Sequence, residues 1–76
     1  MNNSVYNHYA TQLKEIAKIE KRDNPNDKAR VRQVLNDSAD NFRRGIHWHA
    51  MKEKISEKQA KLYCNWIESL TCRLHP

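Results

Sequence analysis

The chain has 76 residues, 14 Lys+Arg against 9 Asp+Glu, and a formal charge of +5, which bounds it to one domain (1–76) and favours an anionic partner. A core of this size nets only about 3–5 kcal/mol, so a deep catalytic cleft is not expected. One Gly, two Pro and no Asn-Gly, Asp-Gly or Gly-Gly pair argue against β-hairpins and for an all-α fold.

The first helix is predicted over 4–21, where Tyr6, Tyr9, Ala10, Leu13, Ile16 and Ala17 recur at three and four residues. Asp23-Asn24-Pro25-Asn26-Asp27 is the clearest breaker. Asn24 is expected to cap a second helix that opens on Pro25. That helix is predicted over 25–36, with Val31, Val34 and Leu35 inward. Asn36-Asp37-Ser38 reads as a break, because each side chain can bond to nearby backbone. A third helix follows over 39–54, with Ala39, Phe42, Ile46, His49 and Ala50 inward; one bent helix in place of the second and third would give a similar pattern. The fourth begins at Ser56-Glu57-Lys58-Gln59, a capping box in which Ser56 and Gln59 satisfy each other's backbone amides. Its apolar face is Ala60, Tyr63, Ile67, Leu70 and Leu74, widened by Leu62 and Trp66, with Cys64 and Thr71 on the other edge. The expected architecture is a compact bundle of four short helices. The Asn36–Ser38 break, Gly45 and the small core further suggest a mobile bundle.

The start, Met1-Asn2-Asn3-Ser4, is polar with no apolar segment behind it, and no run of 18 apolar residues exists, so neither a leader nor a membrane span is expected. Cys64 and Cys72 lie about 12 Å apart along one helix, beyond disulfide reach. Both are expected as reduced thiols in a cytoplasmic protein.

Catalytic motifs are missing. There is no G-x-x-x-x-G-K-[ST] loop, and no pair of carboxylates stands out as an acid/base couple. His47 and His49 point about 200° apart on a helix, so they do not share an ion. Cys72 and His75 make at most half a zinc site. His49 reads as a satisfied, partly buried polar group. The chain is expected to be no enzyme and to need no cofactor or metal.

The charge surplus is local. Between Lys28 and Lys61 stand nine cations (Lys28, Arg30, Arg32, Arg43, Arg44, Lys52, Lys54, Lys58, Lys61) against four acids (Asp37, Asp40, Glu53, Glu57). Outside that segment cations and acids balance. Arg44, Trp48 and Lys52 form an i, i+4, i+8 stripe away from Phe42 and Ile46, with Met51 on the same side. An aromatic between two cations can stack on a base while the cations hold its phosphates. The plainer alternative is a Trp48 buried by a neighbouring helix and rimmed by the two cations. The candidate contacts are Lys28, Arg32, Arg43, Arg44, Trp48, Lys52 and Lys54.

The run Ile55-Ser56-Glu57-Lys58-Gln59-Ala60-Lys61-Leu62-Tyr63-Cys64-Asn65-Trp66-Ile67, the length and the central basic segment resemble the small proteins encoded beside UvsW, the recombination and R-loop-unwinding helicase of T4-type phages. The resemblance implies a helical bundle similar to the HRDC nucleic-acid-binding module of RecQ-type helicases. It also implies a role in phage replication, recombination and repair, in the host cytoplasm. The implied partners are DNA (single-stranded, forked or branched) and a phage helicase. It supplies no site residues. The rival expectation is a protein–protein adaptor or host-factor inhibitor that uses the same basic and aromatic face.

Overall fold

The computed structural model describes residues 3–76. Met1 and Asn2, part of the polar start weighed above, lie outside the described residues. Three helices follow one another: α1 (Ser4–Asp23), α2 (Lys28–Met51) and α3 (Glu57–Leu74). The expectation of four helices, and of the HRDC-like bundle built on that number, is corrected. The predicted second and third helices are one.

Asn36, Asp37 and Ser38 do not break α2, and the side chains of Asn36 and Asp37 bond to other side chains rather than to local backbone. Gln33 Nε2 donates to Asp37 Oδ1 at 3.0 Å along the helix. Asn36 Oδ1 meets the His75 ring nitrogen at 2.9 Å, across on α3. The core stripe also runs straight through. Val31, Leu35, Ala39 and Ile46 are buried, and Phe42 and Ala50 pack against them. Three residues of middling helix propensity cost about 2 kcal/mol together, roughly what burying one large aliphatic side chain returns.

Each helix end has a local cause. Asp27, not Asn24, caps α2, and its carboxylate accepts the Arg30 amide at 3.0 Å. Pro25 stays in the preceding turn. That turn is fastened by Glu20, whose carboxylate accepts from Asn24 Nδ2 at 2.9 Å and lies 3.7 Å from Arg30 Nε. α2 stops at Met51, three residues earlier than expected. The Glu53 amide bonds to Ala50 O at 3.0 Å and the Lys54 amide to His49 O at 3.0 Å. With Glu53 at φ 58 this is a Schellman closure with a glutamate at the left-handed position. The Ser56–Gln59 capping box opens α3 as the sequence predicts, with both reciprocal bonds made.

The connections are short, so neighbouring helices run antiparallel and α3 returns beside α1. The molecule extends 42 × 17 × 16 Å. Leu13, Leu35, Ile46, Tyr63 and Ile67 are fully enclosed. Thr71 is buried with its hydroxyl donating to Ile67 O at 2.7 Å, so its polar group costs little. Tyr63 keeps its hydroxyl satisfied at Asn3 Oδ1, 3.2 Å.

Aromatic rings gather where α1 begins and α2 ends. Tyr6 meets Trp66 edge-on at 5.1 Å between centroids, and Tyr9 meets Phe42 at 5.3 Å. Gly45, expected to loosen the bundle, instead lets Tyr9 lie against the α2 backbone. His49 departs from its expected role. Its Nδ1 is buried and has no hydrogen-bond partner among the described residues. An orphaned polar atom of this kind costs about 1–3 kcal/mol.

Candidate nucleic-acid interface

The C-terminal third of α2 carries the strongest part of the predicted site. Trp48 is 50% exposed, so the bundle does not bury it. Its contact inside the helix is His49, edge-on at 5.2 Å. Lys52, the residue that closes α2, places its ammonium 5.8 Å from the Trp48 ring centroid, within cation–π range. Lys54 is exposed in the turn that follows. Lysines at this point also suit the negative end of the α2 dipole, which helps hold them there without any ligand.

The other cations are divided. Arg44 is drawn toward the helix N-terminus, with Nη2 3.1 Å from Asp40 Oδ2 and 2.6 Å from Asn41 Oδ1. Arg43 lies 3.5 Å from the same carboxylate. Asp40 therefore holds both arginines, and the Arg44–Trp48–Lys52 stripe is assembled only in its Trp48–Lys52 half. Arg43 also lines a shallow groove of about 230 Å³ against α3, with Asn36, Glu68, Thr71, Cys72 and His75 around it. Lys28 and Arg32 are exposed near the start of α2. At 1.5 Å per residue they lie about 30 and 24 Å along the axis from Trp48. They do not belong to one compact patch with it.

One feature of this end lies outside the set of predicted contacts. A second groove, about 400 Å³, opens between the last turn of α2 and the first of α3. His47, Ala50, Met51, Glu57, Ala60 and Lys61 line it. The signal for it was the pair of small residues, Ala50 and Ala60, on either side of the turn. Their short side chains leave the space between the two helices unfilled. Met51 forms the outer wall and is 80% exposed.

Cys64 borders this region. Its Sγ lies 3.7 Å from His47 Nε2 and 3.9 Å from Arg43 O. Burial pushes its thiol above the ordinary range, and the Arg43 charge opposes that only in part. The thiol is therefore a weak nucleophile at neutral pH. Both cysteines are free, and Cys72 is exposed. His75 Nε2, half of the expected Cys72–His75 pair, is bonded to Asn36. Among the described residues no group of three or more His, Cys, Asp or Glu is placed to hold a metal ion. No helix among them is long and apolar enough to cross a membrane.

In comparisons with family models, curated proteins and solved structures, nothing matches this chain.

Proposed function

We propose that this chain is a small nucleic-acid-binding module, without catalytic activity of its own, that works beside a DNA helicase in phage replication, recombination and repair. The observation that carries the binding half is Trp48, half-exposed beneath the Lys52 ammonium at the basic end of α2. A ring with a cation over one face and open surface around it suits a base whose phosphate is held by that cation. The helicase setting rests on the resemblance of the 55–67 run. Contacts of this kind are phosphate-anchored and carry little sequence information.

The geometry supports a small contact. Lys52 and Lys54 follow Trp48 and Lys61 lines the groove, so these three, of the four lysines at this end, make the contact in this reading, while Arg43 and Arg44 are occupied by Asp40. Neutralising three phosphates of a single strand gives a log–log salt slope of about −2. Affinity should then fall roughly 20-fold between about 50 and 200 mM salt. Fluorescence anisotropy with labelled single-stranded, duplex and forked DNA measures this directly. The double variant Lys52→Ala, Lys54→Ala should abolish most of the salt dependence. No binding to any of the three DNAs at the lower salt, up to roughly millimolar protein, would remove the reading.

A second reading keeps one specific observation. Met51 is 80% exposed beside Trp48, which also suits an anchor for a partner protein. Capture of one protein after nuclease treatment, by a chain that shows no DNA affinity, would favour it.

A further inference from the structure

Resting on the nucleic-acid reading, we propose that the ligand is a single strand: one base stacks on Trp48 while a neighbouring base enters the groove between α2 and α3. The two stations are continuous. Met51 is three residues after Trp48, so the two are surface neighbours on α2, about 5–6 Å apart at Cβ. Met51 is also the outer wall of the groove. His47 and Ala50 continue the surface inward, and Ala60 closes it from α3. The path runs from an exposed indole, over a methionine, to an imidazole and two methyl groups. That is a surface for flat, weakly polar rings.

Charge decides what the groove takes. Lys61 lines it, and Lys52 and Lys54 follow Met51 directly in the chain, both exposed. Glu57 is the acid of the rim, on the first turn of α3. A phosphate placed inside would lie against that carboxylate. A base placed inside meets apolar atoms and leaves the sugar–phosphate backbone on the lysine side. Duplex DNA cannot use either station, because its base faces are already stacked within the helix. A single strand offers both faces of successive bases. The volume, about 400 Å³ and open to solvent, is larger than a nucleobase.

The test uses the whole chain carrying Trp66→Phe, so that Trp48 is the remaining tryptophan. A short oligodeoxynucleotide and a duplex of equal phosphate number are titrated against it. Indole fluorescence and ¹³C methyl spectra of Ala50, Ala60 and Met51 are followed. The single strand should bind about tenfold more tightly than the duplex. It should quench Trp48 and shift the groove methyls by ring current, and the duplex should do neither. The variant His47→Ala, Met51→Ala alters two exposed side chains. It should lose about tenfold in single-strand affinity and leave duplex affinity unchanged, with its circular-dichroism melt showing the fold retained. Equal binding of both DNAs with unmoved groove methyls, but still weakened by Lys52→Ala, overturns the single-strand groove and leaves nucleic-acid binding standing. Absence of binding by either DNA overturns both.

Discussion

The Tyr9 ring lies so close over Gly45 that a Cβ there would stand 2.9 Å from Tyr9 Cζ and 3.3 Å from Cε1. This contact accounts for the chain's only glycine standing inside its longest helix. Helix propensity alone favours alanine by about 1 kcal/mol. Phe42 at 5.3 Å and His49 at 6.1 Å between centroids restrict how far the ring can swing clear. Overpacking of this kind costs about 1–3 kcal/mol. Gly45→Ala should therefore lower stability, by roughly 1 kcal/mol net, in urea unfolding. Tyr9→Phe removes the nearest atom, so Gly45→Ala should be less damaging in that background. A double-mutant cycle with no coupling would show that Tyr9 is not what excludes the methyl group.

Glu53 presents the reverse case. It adopts φ 58 at the close of α2, the position where glycine usually stands. A left-handed backbone costs an L-residue about 1–2 kcal/mol, and the greater freedom of glycine in the unfolded chain offsets part of that. Glu53→Gly should raise stability by about 0.5–1 kcal/mol and the melting temperature by a few degrees. Glu53→Val should lower both. Equal midpoints for all three proteins would mean that the turn relaxes away from this geometry in solution.

These two positions mark what was legible in the sequence and what was not. The Ser56–Gln59 box was legible because both partners lie within one turn. The buried faces of α1 and α3 were legible because periodicity reports them. Asn36-Asp37-Ser38 reads as a break because its side chains favour local backbone bonds, whereas the core stripe through it and the Asn36–His75 contact, 39 residues onward, are not local. The α2 cap moved from Asn24 to Asp27 for a simpler reason: two good capping residues stand near Pro25, and the Asn24 side chain is bonded to Glu20. In the candidate site, the Trp48–Lys52 pair followed from helical spacing. Trp48 exposure and the α2–α3 groove did not, because both depend on where the neighbouring helices end. The capture of Arg44 by Asp40 was open to the same i, i+4 rule that drew the stripe, which considered the cations without their acids.

Cys64 gives a pH-dependent prediction. Burial raises its thiol pKa in the folded state, so the folded chain holds that proton to higher pH than the unfolded chain does. The sign follows. Its stabilising contribution is complete below the unfolded thiol pKa and is lost as pH rises through the folded one. Stability should therefore decline slightly on the alkaline side, and Cys64→Ser should flatten that decline. Alkylation gives the sharper readout. In the folded protein near pH 8, Cys64 should react more slowly than the exposed Cys72, and in strong denaturant the two rates should converge. Equal rates in the folded protein would contradict the burial argument.

Asp40 is where stability and binding separate. Its carboxylate lies 3.1 Å from Arg44 and 3.5 Å from Arg43; Asp40 and Arg44 are mostly exposed to solvent and Arg43 is partly so. Exposed pairs contribute little, so Asp40→Asn should change stability by less than about 0.5 kcal/mol. For nucleic-acid binding the same change matters more. It removes a negative charge from the face that carries Trp48 and releases two guanidinium groups that the acid now holds. If even one of them reaches a phosphate, affinity at about 50 mM salt should rise severalfold and the salt slope should steepen by about 0.7–0.9. Between about 50 and 200 mM salt, roughly threefold of that advantage should disappear, which distinguishes a new phosphate contact from a change in fold. An unchanged affinity and slope would place both arginines outside the contact and confine it to Lys52, Lys54 and the surface around Trp48.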